Sequence, residues 1–197
     1  GWGSLTLFMA ERYPGSSITA VSNSASQREH IERRARERGL ANVRIVTADM
    51  NRFEPGASFD RVVSVEMFEH MRNWEALLAR VARWLRPDGR LFLHVFAHRE
   101  LAYPFEASGA GDDDDWMARR FFTGGMMPAD HLLHRCQRDL AIERHWRVDG
   151  RHYARTSLEW LRRLDAARDA LQPVLAATYG AGEAARWRQR WRLFFMA

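Results

Sequence analysis

The chain has 197 residues, 46% of them hydrophobic, which suits one globular domain with a sizeable core and excludes a disordered chain. Its formal net charge is +5, but every one of the 30 basic residues is arginine, interleaved with Glu, Asp and Gln on predicted helices in the manner of a solvated face, so no nucleic-acid partner is expected. A single cysteine, Cys136, excludes an intrachain disulfide and fits a reducing, cytoplasmic setting; no run approaches the roughly 18 apolar residues of a membrane span.

The first element predicted is a helix in "GWGSLTLFMAERY", where two glycines precede apolar Leu5, Phe8 and Met9 at helical intervals. "SSITAVS" reads as a strand. The next helix opens with Ser24 and Gln27 in capping-box spacing and stops at Gly39. "NVRIVTAD" is a strand, a loop with Pro55 and Gly56 follows, and "RVVSVE" is a buried strand. A helix over Trp74 to Leu85 has Asn73 as its cap and an apolar face of Leu77, Leu78, Val81 and Leu85. "RPDG" is its terminating turn and "RLFLHVFA" the next strand. Strands alternating with helices at this spacing predict an α/β, doubly wound parallel sheet.

The remainder differs in character. "ASGAGDDDDW" reads as a mobile acidic loop, "RRFFTGGMMPADHLL" mixes aromatics with glycines, "LAIERHWRVD" is strand-like, and helices are expected from Ser157, carrying Trp160, Trp187 and Trp191. Residues 1–98 are expected to form a cofactor-binding half and 99–197 an aromatic-rich helical cap of the same domain. The chain opens on glycine and stops inside "WRLFFMA", so it is expected to be a fragment of a longer protein.

Chemistry concentrates in three places. Gly1 and Gly3 at a helix start let a ligand approach backbone N–H groups, although "GWG" alone also reads as a tight turn. The second strand ends in Val21, Ser22 and Asn23 rather than in the acid a nicotinamide ribose favours. The third ends in Asp49 and Met50, where a carboxylate can accept from an adenine amino group; a turn aspartate is the alternative. Glu66, Glu69 and His70 fall within five positions, so a helical turn after Val65 would gather them on one face, where carboxylates raise the basicity of an imidazole. The alternative is the acid-rich first turn of a solvated helix. His94 with His98, and His131 with His134, lack a completing thiolate or carboxylate, so no metal is expected.

"GWGS", "VSVEMFEHMRNWEALL", "WLRPDGRLFLHVFAHR", "DWMARRFFTGGMMPADHLL" and "HWRVDGRHYARTSLEWLRRLD", in that order, resemble the S-adenosylmethionine-dependent methyltransferases of the cyclopropane-fatty-acyl-phospholipid synthase superfamily, in particular the coclaurine N-methyltransferase-like branch. The resemblance implies a class I, Rossmann-like methyltransferase fold, with the first and last strands outside this chain. It implies that Gly1 and Gly3 face the methionine part of S-adenosylmethionine, Ser22, Asn23 and Gln27 its ribose, and Asp49 and Met50 its adenine. It further implies active-site roles for Glu66, Glu69 and His70. Glu69, His94 and Tyr153 match a bicarbonate set of the lipid enzymes, where Glu66 replaces a small residue. Trp116, Phe121, Phe122 and Tyr153 are candidates to line an apolar or cation-binding pocket, with ordinary core packing as the alternative. The function implied is methyl transfer to an amine or other small acceptor. The alternatives are cyclopropanation of unsaturated lipid chains, with peripheral membrane contact, and a non-catalytic binding module.

Overall fold

The computed structural model describes residues 1–106 and 116–197, so the acidic loop expected after Glu106 lies outside the described residues except for Trp116. Two compact units divide the chain: Gly1–Ser64 with Asn73–Leu93, and Val65–Arg72 with His94–Ala197. The second unit thus takes the Val65–Arg72 turn out of the half in which the sequence places it.

In the first unit, α1 (Ser4–Arg12) follows Gly3, whose φ of 86° is the left-handed conformation that glycine adopts without cost. A side chain there has no room, since a Cβ on Gly3 would lie 2.5 Å from Cγ1 of Ile31. Leu7 of α1 buries itself with Ile31 and Ala35 of α2 (Ala25–Glu37) and Ile45 of β2 (Val43–Thr47), forming one apolar cluster. β1 (Ile18–Ser22) pairs with β2 in parallel, from Ile18 opposite Val43 to Ser22 opposite Thr47, so β1–α2–β2 is the βαβ unit that the sequence predicts. The amide of Asn42 fastens the end of α1 by donating to the carbonyls of Ala10, Tyr13 and Ser16 at 3.0–3.2 Å.

β3 (Phe59–Val65) pairs with β4 (Leu85–His94), and α3 (Trp74–Trp84) runs between them in sequence. Asn73 caps α3 by accepting from Ala76 N at 3.0 Å. Its buried face is Trp74, Leu77, Leu78, Val81 and Trp84, each side chain contributing about 2 kcal/mol by leaving water. Leu85 is not the last helical residue. The helix stops before it, because Pro87 disfavours helical backbone at the preceding Arg86, and the extended chain joins the strand directly. "RPDG" therefore lies inside β4, with Asp88 at φ 64°, instead of forming a separate turn.

In the second unit, a 3₁₀ turn spans Phe68–His70. β5 (Tyr103–Pro104) and β6 (Met126–Met127) form a short antiparallel ribbon, with α4 (Trp116–Arg120) between them in sequence. The described strands thus hydrogen-bond in three pairs, β1–β2, β3–β4 and β5–β6. The strand expected over residues 140–149 is not formed. Among the described residues no strand lies beside it to pair its backbone, and the segment is held by side chains, with Arg147 donating to Asp130 at 2.7 Å and Ile142 N to Gln137 at 2.9 Å. Helices begin earlier than Ser157: α5 (Arg151–Ala166), α6 (Arg168–Tyr179) and α7 (Ala184–Met196) pack together, with Tyr179 stacked on Trp187 at 3.9 Å. No helix among the described residues is long and apolar enough to cross a membrane.

Gly3→Ala tests the packing at the start of α1. A left-handed alanine and the displacement of Ile31 together predict a loss of about 2 kcal/mol, read as a lower urea midpoint, and an unchanged midpoint would contradict the close contact.

Candidate functional site

The residues assigned to a nucleotide ligand lie in the first unit. The N–H groups in the first turn of α1 receive no side-chain cap, and a Cβ on Gly1 would meet nothing within 4 Å, so this helix start is open to an anionic group. At the carboxyl end of β1, the hydroxyl of Ser22 donates to Oε1 of Gln27 at 2.6 Å and accepts from Ser24 N at 3.1 Å. Ser24 in turn accepts from Gln27 N at 3.3 Å, so one arm of the expected capping box forms, and Ser22 replaces Gln27 in the other. Exposed Asn23 stands between these groups. Asp49 and Met50 follow the carboxyl end of β2, the edge where ligands of parallel α/β sheets bind. Oδ1 of Asp49 accepts from the backbone and side-chain nitrogens of Asn51 at 2.8 and 3.0 Å, which makes it a turn aspartate as well.

Sequence reasoning missed Arg80. This half-buried residue of α3 donates to the carbonyls of Met50 at 2.8 Å, of Asn51 and of Phe53, and pairs with Glu54 at 3.3 Å, fixing the loop that follows Asp49. Its guanidinium also lies 5.4 Å from the Trp84 ring. The available signal was an arginine beside Val81 on an apolar helix face. Open backbone amides, a hydroxyl, carboxamides and a carboxylate together fit the carboxylate, ribose and adenine of S-adenosylmethionine.

The acids lie in the second unit. Glu66 follows β3 in the left-handed region at φ 52°, which a non-glycine residue adopts only at a cost of about 1–3 kcal/mol. The expected helical turn is therefore interrupted at its first member: Glu66 and Glu69 remain neighbours, while His70 stands exposed. Glu66 turns to His94, donating its own N–H to His94 O at 2.9 Å, while Oε1 lies 2.8 Å from Nδ1 of His94 without hydrogen-bond alignment. Glu69, in the 3₁₀ turn, is 1% exposed, and its Oε2 has no hydrogen-bond partner among the described residues. His70 is exposed at the end of the turn.

Burial pushes the Glu69 carboxyl up to about 8, with its own backbone N–H opposing and the neighbouring Glu66 adding to the rise. Tyr153 is raised by burial first and then by the charges of Glu66 and Glu69, which places its phenol within their field. The imidazole of His94, which the resemblance gives to a bicarbonate ion, is turned to Glu66. His98 lies past the end of β4. Its ring accepts from the backbone N–H groups of Glu100 and Leu101 at 3.1 and 2.8 Å. Among the described residues no group of three or more His, Cys, Asp or Glu side chains could hold a metal.

Of the aromatic candidates, Trp116, Phe121 and Phe122 are half-buried and packed near α7, whereas Tyr153 is exposed. Phe121 stacks on Phe194 at 4.5 Å and meets Trp116 edge-on at 5.7 Å, while Phe122 lies 4.9 Å from Phe105. Arg190, 6% exposed, sits 5.1 Å from the Trp187 ring and 5.8 Å from that of Trp116.

A family model described as mycolic acid cyclopropane synthetase matches residues 1–189. The chain is 38% identical to the (S)-coclaurine N-methyltransferase of Thalictrum flavum subsp. glaucum, over 100% of the chain and 55% of that enzyme. It is 34% identical to the pavine N-methyltransferase of the same plant, again over 100% of the chain and 55% of the enzyme. Identity to the cyclopropane-fatty-acyl-phospholipid synthase of Escherichia coli K12 is 30%, over 85% of the chain and 41% of that protein. The chain thus spans about half the length of the curated relatives it matches. The crystal structure of coclaurine N-methyltransferase bound to N-methylheliamine and SAH aligns with a TM-score of 0.90 at 38% identity, over 99% of the chain and 57% of that protein. A cyclopropane synthase of Mycobacterium tuberculosis aligns with a TM-score of 0.74 at 21% identity, over 100% of the chain and 70% of its own length. The α/β class I methyltransferase fold expected from the sequence is the fold of these structures.

Glu69 also makes stability depend on pH. An unfolded glutamate releases its proton near 4.3, whereas the folded one holds it to about 8, so the folded state binds more protons between those values. Its contribution is fully present below pH 4 and lost as the pH rises through 8. Melting temperatures of the wild type and Glu69→Gln, measured from pH 5 to 9, should therefore diverge in favour of the variant as pH rises; parallel curves would show that Glu69 is not held neutral.

Proposed function

The chain belongs to the mycolic acid cyclopropane synthetase family, and from that premise we propose that it is an S-adenosylmethionine-dependent methyltransferase whose acceptor is a small-molecule amine. The observation that carries this reading is Glu69, a carboxyl group 1% exposed beside Glu66 and pushed by burial up to about 8, which matches a proton acceptor to an ammonium group. The names of the similar coclaurine and pavine N-methyltransferases support it.

Gly1, Gly3 and the first-turn amides of α1 hold the cofactor's methionine part, Ser22, Asn23 and Gln27 its ribose, and Asp49 and Met50 its adenine, with Arg80 keeping the last two in place. When bound, that cofactor would supply an electrophilic methyl group for a nitrogen lone pair. Glu66, paired with His94, attracts the acceptor as a cation. Glu69 takes the N–H proton and frees the lone pair, and His70, exposed at the end of the same turn, passes the proton to solvent. Tyr153, kept protonated by partial burial and by the charges of Glu66 and Glu69, stands within the field of the two acids. Trp116, Phe121 and Phe122 supply the apolar surroundings of the acceptor.

Incubation with methyl-labelled cofactor and either secondary amines or vesicles of unsaturated phospholipid tests the acceptor class. A labelled tertiary amine is expected; a cyclopropanated lipid instead would replace this reading with that of the lipid synthases. Glu69→Ala should lower kcat by about 10²-fold or more and remove the rise of activity with pH near 8, with cofactor Kd unchanged. Arg80→Met should do the reverse, raising cofactor Kd by about tenfold while kcat at saturation holds.

A further inference from the structure

The Gly124–Gly125 pair that follows α4 brings its backbone against the acid turn. A Cβ on Gly125 would lie 2.6 Å from the carbonyl oxygen of Glu69 and 3.4 Å from Cα of His70, so only glycine lets these two stretches of backbone touch. Gly124, by contrast, has φ +78° and open space where its Cβ would be. The pair is fastened on three sides: Arg72 Nε donates to Gly124 O at 3.1 Å, Phe105 N to Gly125 O at 2.9 Å, and Gly125 N to Phe122 O at 3.2 Å. Arg72 is itself on the chain just past the acid turn, and it also reaches Glu106 at 3.6 Å. The turn is thus clamped to the loop by a contact at Glu69 and a hydrogen bond three residues later.

We propose that Gly125 and Arg72 are positioning residues for Glu69: they press the acid turn onto the glycine loop and so keep the carboxyl group dehydrated. The proposal deepens the methyltransferase reading and rests on it for the role of Glu69. The charged and titratable groups facing Glu69 are Glu66, and through it His94, together with Tyr153, none of which either substitution removes. Displacing the turn admits water, and hydration lowers a carboxyl pKa that burial had raised.

The test uses Gly125→Ala, Arg72→Gln and Gly124→Ala in the full chain. The protonation of Glu69 is followed directly by infrared titration of its carboxyl band, isolated by subtracting the spectrum of Glu69→Gln. Gly125→Ala is expected to lower the Glu69 midpoint by about one unit or more and kcat by about tenfold, with cofactor KM within about twofold. Arg72→Gln should lower the midpoint in the same direction. A mere loss of positive charge would raise it, so a rise overturns the proposal. Gly124→Ala should reduce thermal stability through its strained φ and leave the midpoint alone; an equal shift there would make the effect a general loosening and overturn the proposal. A folded Gly125→Ala with the wild-type midpoint overturns it too, and if that variant does not fold, Arg72→Gln decides. Should the wild type methylate no amine, the functional reading falls while the infrared midpoint still tests the clamp.

Discussion

A carboxyl group cannot be both buried and ionised beside a second carboxylate without a large electrostatic cost, and the acid turn of this protein is built around that constraint. Glu69 is 1% exposed, has an oxygen without a hydrogen-bond partner among the described residues, and shares its surroundings with Glu66. The arrangement settles the cost by keeping the proton on Glu69 up to about pH 8, while Glu66 finds His94. Two chemically identical side chains three positions apart thereby acquire different surroundings: Glu69 is buried and pushed up to about 8, while Glu66 lies beside His94.

The backbone makes this division possible. Had Glu66 continued β3 or begun a helix, its side chain would have gone with that element's periodicity. At φ 52° it leaves the strand, and its N–H still closes onto the carbonyl of His94, so the end of β3 stays tied to the end of β4 while the side chain turns to the imidazole. Strain of this kind persists only when surrounding structure holds it. Here a backbone hydrogen bond and an ion pair to the same residue do so.

Much of this was legible in the sequence, and the failures have physical causes. The caps at Ser24 and Asn73, the apolar stripe of α3 and the parallel β1–α2–β2 unit follow from local rules and appear as expected. The acid cluster announced itself because three titratable residues in five positions at a strand end are unusual. Its internal arrangement did not, since the left-handed Glu66 and its pairing with His94 depend on how β3 meets β4, which no local pattern encodes. The resemblance groups His94 with Glu69, and only the structure shows its imidazole turned to Glu66. Residues 140–149 alternate like a strand, but alternation is only half of a strand's requirement, and no neighbouring edge completes it. Arg80 was hidden because a sequence shows only that an arginine interrupts an apolar face, while its value lies in the three carbonyls it reaches across the fold.

The aromatic residues bear on the same electrostatics. Phe105 and Phe122, which pack at 4.9 Å, are also the residues whose backbones bond to Gly125, and Phe122 continues through Phe194 to the ring system of α7. The packing that excludes water from the second unit and the contact that seats Glu69 therefore share one backbone junction. An ordinary core needs only volume and dryness from such rings. Because this core is joined to a carboxyl group that burial pushes up to about 8, the packing around the junction bears on that group's proton affinity.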